Sequence, residues 1–100
     1  MVKLSLLYGH PADSKAFESY YANTHQPLAA KIQGLRRTEF SLVNGTADGS
    51  KPAFYRIAEL YFDDMDHMQH VMSSAEAKVA VGDLPNFATG GVTTLVSQIS

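Results

Sequence analysis

Tyr20-Tyr21-Ala22-Asn23-Thr24-His25-Gln26-Pro27-Leu28-Ala29-Ala30-Lys31-Ile32-Gln33-Gly34-Leu35-Arg36-Arg37-Thr38-Glu39 is the stretch on which the reading of this chain turns. Phe17, Tyr20, Tyr21, Thr24 and Leu28 are spaced three, one, three and four residues apart, the stripe of an amphipathic helix. Pro27 has no backbone donor and biases Gln26 away from the helical region. The first helix is therefore expected to end or kink near Thr24 and His25. Proline also suits the start of a helix, so a second helical segment is expected over residues 27–33. Gly34 stands where a left-handed cap is wanted, and a strand follows from Leu35. His25 then lies at a helix break, with Tyr21 four residues back. A side chain at such a break can point into a cleft.

Outward from this stretch, Val2–Tyr8 alternates Leu4, Leu6 and Tyr8 with Lys3, Ser5 and Leu7, a strand with one wholly apolar face. Gly9-His10-Pro11 ends it, and Asp13 or Ser14 suits the N-cap of the helix. Residues 36–43 form a half-buried strand, with Thr38, Phe40 and Leu42 opposite Arg37, Glu39 and Ser41. Residues 44–52, with Asn44-Gly45 and Asp48-Gly49, predict a long hairpin loop. Residues 53–62 are apolar on both faces, as in a sheet covered by helices on one side and another sheet on the other. Asp63 or Asp64 caps a helix with the stripe Met65, Met68 and Met72. Ser73-Ser74-Ala75-Glu76 reads as a capping box restarting the helix to about Val81, and Gly82 as its stop. A loop over residues 83–91, anchored by Leu84 and Phe87, leads to a last strand over residues 92–99. The order strand, helix, strand, strand, helix, strand predicts an α+β fold, the ferredoxin-like sandwich. That fold is a four-stranded antiparallel sheet with helices on one face, here as a single domain of residues 1–100.

One hundred residues make one domain, which buries about two-thirds of its unfolded surface and would gain from a partner subunit. Eight Lys and Arg against ten Asp and Glu, with no basic block, argue against a nucleic-acid partner. Without cysteine there is no disulfide, thiolate nucleophile or thiolate metal site, which fits a cytoplasmic protein. No apolar run approaches the roughly 18 residues of a membrane span. Met1-Val2-Lys3-Leu4 enters a strand pattern at once and does not read as a signal peptide. No phosphate-cradling glycine loop, nucleophile elbow or zinc-protease helix is present, and no metal or flavin is required.

The run Tyr20-Tyr21-Ala22-Asn23-Thr24-His25-Gln26-Pro27-Leu28-Ala29, with Ile32, Gly34, Leu35 and Arg36 behind it, resembles the signature of the EthD family, named for an ether-degradation gene cluster. Asp83-Leu84-Pro85-Asn86-Phe87 is similar to a second block of that family. The resemblance covers essentially the whole chain. Gln33 departs from it, standing where many relatives are expected to carry proline. The resemblance implies a dimeric α+β barrel: a homodimer packed sheet against sheet, with a pocket in each protomer between sheet and helices. It implies a small hydrophobic organic ligand and a place in catabolic or tailoring metabolism. It also leaves room for a non-enzymatic carrier serving a partner oxygenase, and for haem held through His25.

His25 is the candidate general acid or base, with Tyr21 or Tyr20 orienting the substrate. The alternative is a histidine packed at the helix break against a free carbonyl. Tyr20, Tyr8, Arg36, Phe62 and Phe87 are the candidate ligand contacts. Each has a plainer reading: the aromatic residues as core or interface, and Arg36 as an ion pair with Glu39 or Glu59. Asp63, His67 and His70 have metal-set spacing, but a solvated helix face explains them equally, and no metal is expected.

Overall fold

A computed structural model describes residues 1–100. In chain order it contains β1 (Val2–Tyr8), α1 (Ser14–Tyr20), a π-helical turn (Tyr21–His25), α2 (Gln26–Ala29), β2 (Arg37–Leu42) and β3 (Arg56–Phe62). Then come α3 (Met65–Met72), α4 (Ala75–Gly82), a 3-10 turn (Leu84–Asn86) and β4 (Val92–Gln98). The strands form one antiparallel sheet in the order β2-β3-β1-β4, the ferredoxin-like arrangement expected from the sequence.

The register decides which residues meet. Leu4 lies between Leu60 and Val96, and Leu6 between Ala58 and Thr94. Period-two alternation turns Leu4, Leu6, Tyr8, Ala58, Leu60 and Phe62 to one face, against Phe17, Tyr21, Ile32, Met68, Val71, Ala77, Ala80 and Phe87. The other face carries Lys3 paired with Glu59 at 2.6 Å, and the Tyr61 hydroxyl donating to Glu39 at 2.6 Å. Leu7, Ile57 and Leu95 share that face with them.

The central stretch differs from its reading at Pro27. The chain stays helical from Ser14 to Ala29, and Gln26 keeps φ −59° and ψ −39°. The break is replaced by a widened turn, in which the Gln26 N–H reaches back five residues to the Tyr21 carbonyl. Shifting the hydrogen-bond ladder in this way lets a residue without a donor sit inside a helix. The helix is also shorter than expected at its far end. Lys31 and Ile32 donate three residues back, to Leu28 and Ala29 at 3.2 and 3.1 Å, so helical structure ends before Gln33. Gly34, at φ 92°, does adopt the left-handed conformation read from the sequence.

The second half differs in register. Ser74, not Ser73, caps α4, accepting from the Ala77 N–H at 3.2 Å. Gly82 does not stop it, because Gly82 is the last residue of α4 and Asp83 continues with right-handed φ −79° and ψ −18°. The expected loop therefore begins with the 3-10 turn over Leu84–Asn86. Met65 is 43% exposed at the start of α3, and Val71 replaces it in the buried stripe. Asp13 and Asp64 cap α1 and α3 through their side chains. β3 begins at Arg56, three residues later than read, and the hairpin loop lengthens accordingly. Gly9 and Gly90 are required by contact. A Cβ on Gly9 would overlap the Gly90 carbonyl, and one on Gly90 would overlap that of His10.

Candidate functional site

The widened turn and the run from α4 into the 3-10 turn set His25 against Asp83. His25 Nδ1 lies 3.0 Å from Asp83 Oδ2, and both residues are buried. A carboxylate only accepts, so the Nδ1–H donates, and in the neutral ring the lone pair lies on Nε2. The other Asp83 oxygen accepts from the Tyr20 hydroxyl at 2.6 Å and from the Asn86 amide at 2.9 Å. Burial pushes the Asp83 carboxyl up, but hydrogen bonds from Tyr20, Asn86 and His25 outweigh it and hold the group below the ordinary carboxylate range. The imidazole is fixed on both sides. Phe87 packs at 4.6 Å between centroids, and Tyr21 stacks at 5.8 Å with 14° between the planes.

His25 borders a cavity of about 80 Å³ between the sheet and the helices. Leu4, Leu6 and Tyr8 of β1, Ala58 and Leu60 of β3, Met72 and Ala80 form much of its wall. Only His25 and Thr94 among the lining residues are not hydrophobic. His25 Nδ1 is engaged by Asp83, and Nε2 makes no hydrogen bond within the protein. A groove of about 270 Å³ shares Ala29, Ile32 and Phe40 with the cavity and brings Gln26 and Thr38 to its edge. An apolar cavity of roughly 150 Å³ holds benzene, and this one is smaller, about 80 Å³.

Among the residues singled out from the sequence, His25 and Tyr8 border the cavity. Tyr21 is buried beside them, and its hydroxyl has no hydrogen-bond partner. Burial pushes that phenol up to about 12, and burial likewise pushes Tyr8 well above the ordinary phenol range. The Arg56 guanidinium, held by Glu18, lies 5.1 Å from the Tyr21 ring centroid. The Tyr20 hydroxyl is engaged by Asp83, and its ring stacks on Phe87 at 5.4 Å. Phe87 belongs to the aromatic cluster around His25 and is not part of the cavity wall. Phe62 is fully buried with its ring 5.7 Å from His67. Arg36 is not brought to the site. It makes two exposed hydrogen bonds to Asp63, at 2.8 and 2.7 Å, rather than pairing with Glu39 or Glu59. His67 Nδ1 accepts from the Asp63 N–H, and no group of three or more His, Asp or Glu side chains is placed to hold a metal ion. Asp83 and Asn86 were not singled out, although the block containing them was. The contact of Asp83 with His25 spans 58 positions, and no local spacing signals it.

Fold and site together define a ferredoxin-like α+β domain with an apolar cavity addressed by a histidine–aspartate pair. The chain belongs to the EthD domain family, whose model matches residues 9–91. It is 36% identical over 98 residues to an uncharacterized 11.0 kDa protein in the thcB–thcC intergenic region of Rhodococcus erythropolis, covering 98% of this chain and 94% of that one. The crystal structure of an ethyl tert-butyl ether degradation (EthD) family protein from Bacillus halodurans superimposes with a TM-score of 0.92 at 37% identity, covering 100% of this chain and 99% of that one. A protein from Bacteroides fragilis, described as dimeric, of unknown function and of ferredoxin-like fold, matches with a TM-score of 0.66 at 17% identity, covering 98% and 95% of the two chains. No helix is long and apolar enough to cross a membrane.

Proposed function

We propose that this protein binds a small, largely apolar organic molecule in the cavity beside His25 and moves a proton on it. His25 Nε2 is the base or acid, and no cofactor takes part. The observation that carries this reading is the 3.0 Å contact of His25 Nδ1 with Asp83, on a histidine that lines an apolar cavity. A buried carboxylate behind an imidazole fixes its tautomer and stabilises the imidazolium formed when Nε2 takes a proton. The working form is a homodimer in the cytoplasm, joined through the uncovered sheet face bearing Leu7, Ile57 and Leu95. The metabolic setting is catabolism or tailoring of such compounds.

The test follows deuterium entering the carbons next to the carbonyl of small cyclic and linear ketones in D2O, by NMR. Exchange faster than buffer, lost in His25→Gln, supports proton transfer. Binding of the ketones by both proteins with no exchange above buffer overturns it. That outcome favours the second reading, a carrier for a partner oxygenase, which the almost wholly apolar wall equally suits.

A further inference from the structure

The hydroxyl of Tyr21 is a buried polar atom for which the protein offers no well-formed hydrogen bond. It is not isolated from other polar groups. The Tyr8 hydroxyl and the Gln26 side-chain amide are among its polar neighbours. Tyr8 borders the cavity and Gln26 borders the adjoining groove. The Tyr8 side chain is itself buried, 1% exposed, and shares the cavity wall with His25. Tyr8 thus stands edge to face with Tyr21, ring centroids 5.6 Å apart, on the wall that His25 also lines.

The geometry points to an oxygen-holding subsite made by Tyr8, with Tyr21 positioned behind it, so that the ligand is an uncharged carbonyl compound whose oxygen Tyr8 grips across the cavity from His25. This deepens the proton-transfer reading and rests on it. The chemical class follows from the wall. The cavity wall carries no Asp, Glu, Lys or Arg to meet an ion, and Arg37 lies only on the adjoining groove. An uncharged acceptor satisfies Tyr8, and Tyr8 in turn accepts from Tyr21. Burial keeps both phenols protonated, and therefore able to donate, well into alkaline solution. The reaction balances without a co-reactant. His25 Nε2 takes a proton from the carbon beside the carbonyl, and that C–H pair becomes the new carbon–carbon double bond. The carbonyl π pair moves onto oxygen, where the Tyr8 hydroxyl meets the developing charge. Return of the proton regenerates the ketone, or gives an isomer when it enters another carbon of a conjugated system.

The test compares two probes of equal shape, cyclopentanone and methylenecyclopentane, by NMR titration at pH 8. They differ only in an oxygen acceptor against a methylene group. Both should bind the wild-type protein. Tyr8→Phe should weaken cyclopentanone about tenfold, in keeping with one lost hydrogen bond, and leave methylenecyclopentane unchanged. Tyr21→Phe should lower the same ratio several-fold, again sparing the hydrocarbon, which a merely structural role would not do. The hydrocarbon titration also reports whether each variant is folded. Tyr8→Phe weakening both probes alike, or neither, overturns the subsite and leaves the cavity reading standing. A wild-type protein that binds neither probe overturns the cavity reading and this inference with it.

Discussion

His25 and Asp83, 58 positions apart in the chain, meet at 3.0 Å in a buried contact. The first stands on a π-helical turn, the second at the junction of α4 and a 3-10 turn. Asp83→Asn tests what the contact does. A neutral amide can turn either its oxygen or its nitrogen to the ring, so the tautomer is no longer imposed. Two-bond proton–nitrogen correlation spectra should show His25 as the single Nδ1–H tautomer in the wild type and as a mixture in the variant. Ketone deuterium exchange should fall by about 100-fold or more, the scale of positioned acid–base catalysis. A variant that keeps one tautomer and full exchange speaks against the pair.

Stability should fall off at both ends of the pH scale for opposite reasons. Burial raises Asp83, hydrogen bonds lower it further, and the net result is a carboxyl below its ordinary 3.8. A depressed acid contributes stability that is present above 3.8 and lost as pH falls through its lower folded value. Glu18, lowered by its bond from Arg56, and Asp63, lowered by Arg36, act in the same direction. Tyr21 is the reverse case. Raised by burial from 10.0 to about 12, it contributes stability that is intact below 10.0 and lost as pH climbs toward about 12. Urea melts across pH check both limbs. Asp83→Asn should flatten part of the acid limb, and Tyr21→Phe part of the alkaline one. An alkaline limb unchanged in Tyr21→Phe would show that other groups set it.

The sheet was legible in the sequence because period-two alternation is a local signal. Leu4, Leu6 and Tyr8 against Lys3, Ser5 and Leu7 fixed the faces of β1 before any partner strand was known. The caps at Asp13 and Asp64 were legible for the same reason, since a cap bonds three residues on. The helix break was misread because proline's local preference competes with packing. The chain stays helical through Pro27 in a widened turn that buries Tyr21 and His25. Gly82 was misread similarly: glycine permits a left-handed stop without requiring one. The motif carried His25, but nothing in the spacing could reveal Asp83 as its partner, because that contact is tertiary. Arg36 went unread in the same way, its carboxylate being Asp63 rather than one on the neighbouring strands.

Filling the cavity should separate ligand binding from stability. Ala80 is buried on α4 and borders the void of about 80 Å³. Ala80→Leu adds three carbons to that space. Cavity-filling changes of this kind commonly gain about 0.5–2 kcal/mol, or about 2–16 °C of melting temperature in a chain this short. Methylenecyclopentane binding should weaken more than tenfold at the same time. Retained binding with a lower melting temperature would mean that the leucine cannot enter the void and that the ligand lies elsewhere.

The uncovered sheet face should answer to one charge. Leu95 is 52% exposed and pairs with Ser5, beside Leu7 and Ile57. In a homodimer closed through this face, Leu95→Glu would bury a carboxylate without a partner, which is strongly unfavourable. Sedimentation equilibrium should show two chains for the wild type and one for the variant at micromolar concentration. On an exposed edge strand the same change is worth less than about 0.5 kcal/mol, so the melting temperature of the isolated chain should hardly move. A variant that remains a dimer would assign the interface to another surface.

Pro27 is where fold and site are most directly coupled. Proline within a helix costs about 3 kcal/mol, from the missing donor and the clash with the carbonyl four residues back. Here the cost is relieved by the π turn, in which Gln26 bonds to Tyr21 five residues back. Pro27→Ala restores an N–H that can reach Asn23, four back, and so favours an ordinary α-helical ladder. Returning to that ladder removes the extra residue from the turn. It rotates His25 relative to the helix before it by about 100°, the angle of one residue at 3.6 per turn. The variant should therefore be as stable as the wild type, or more so, while losing the single Nδ1–H tautomer of His25 and its ketone exchange. Thermal melts, His25 nitrogen spectra and exchange rates measured on the same sample separate the two effects. Stability lost while the His25 spectrum stays intact would mean that the turn is held by the packing of Tyr21 and His25 alone, with proline merely tolerated.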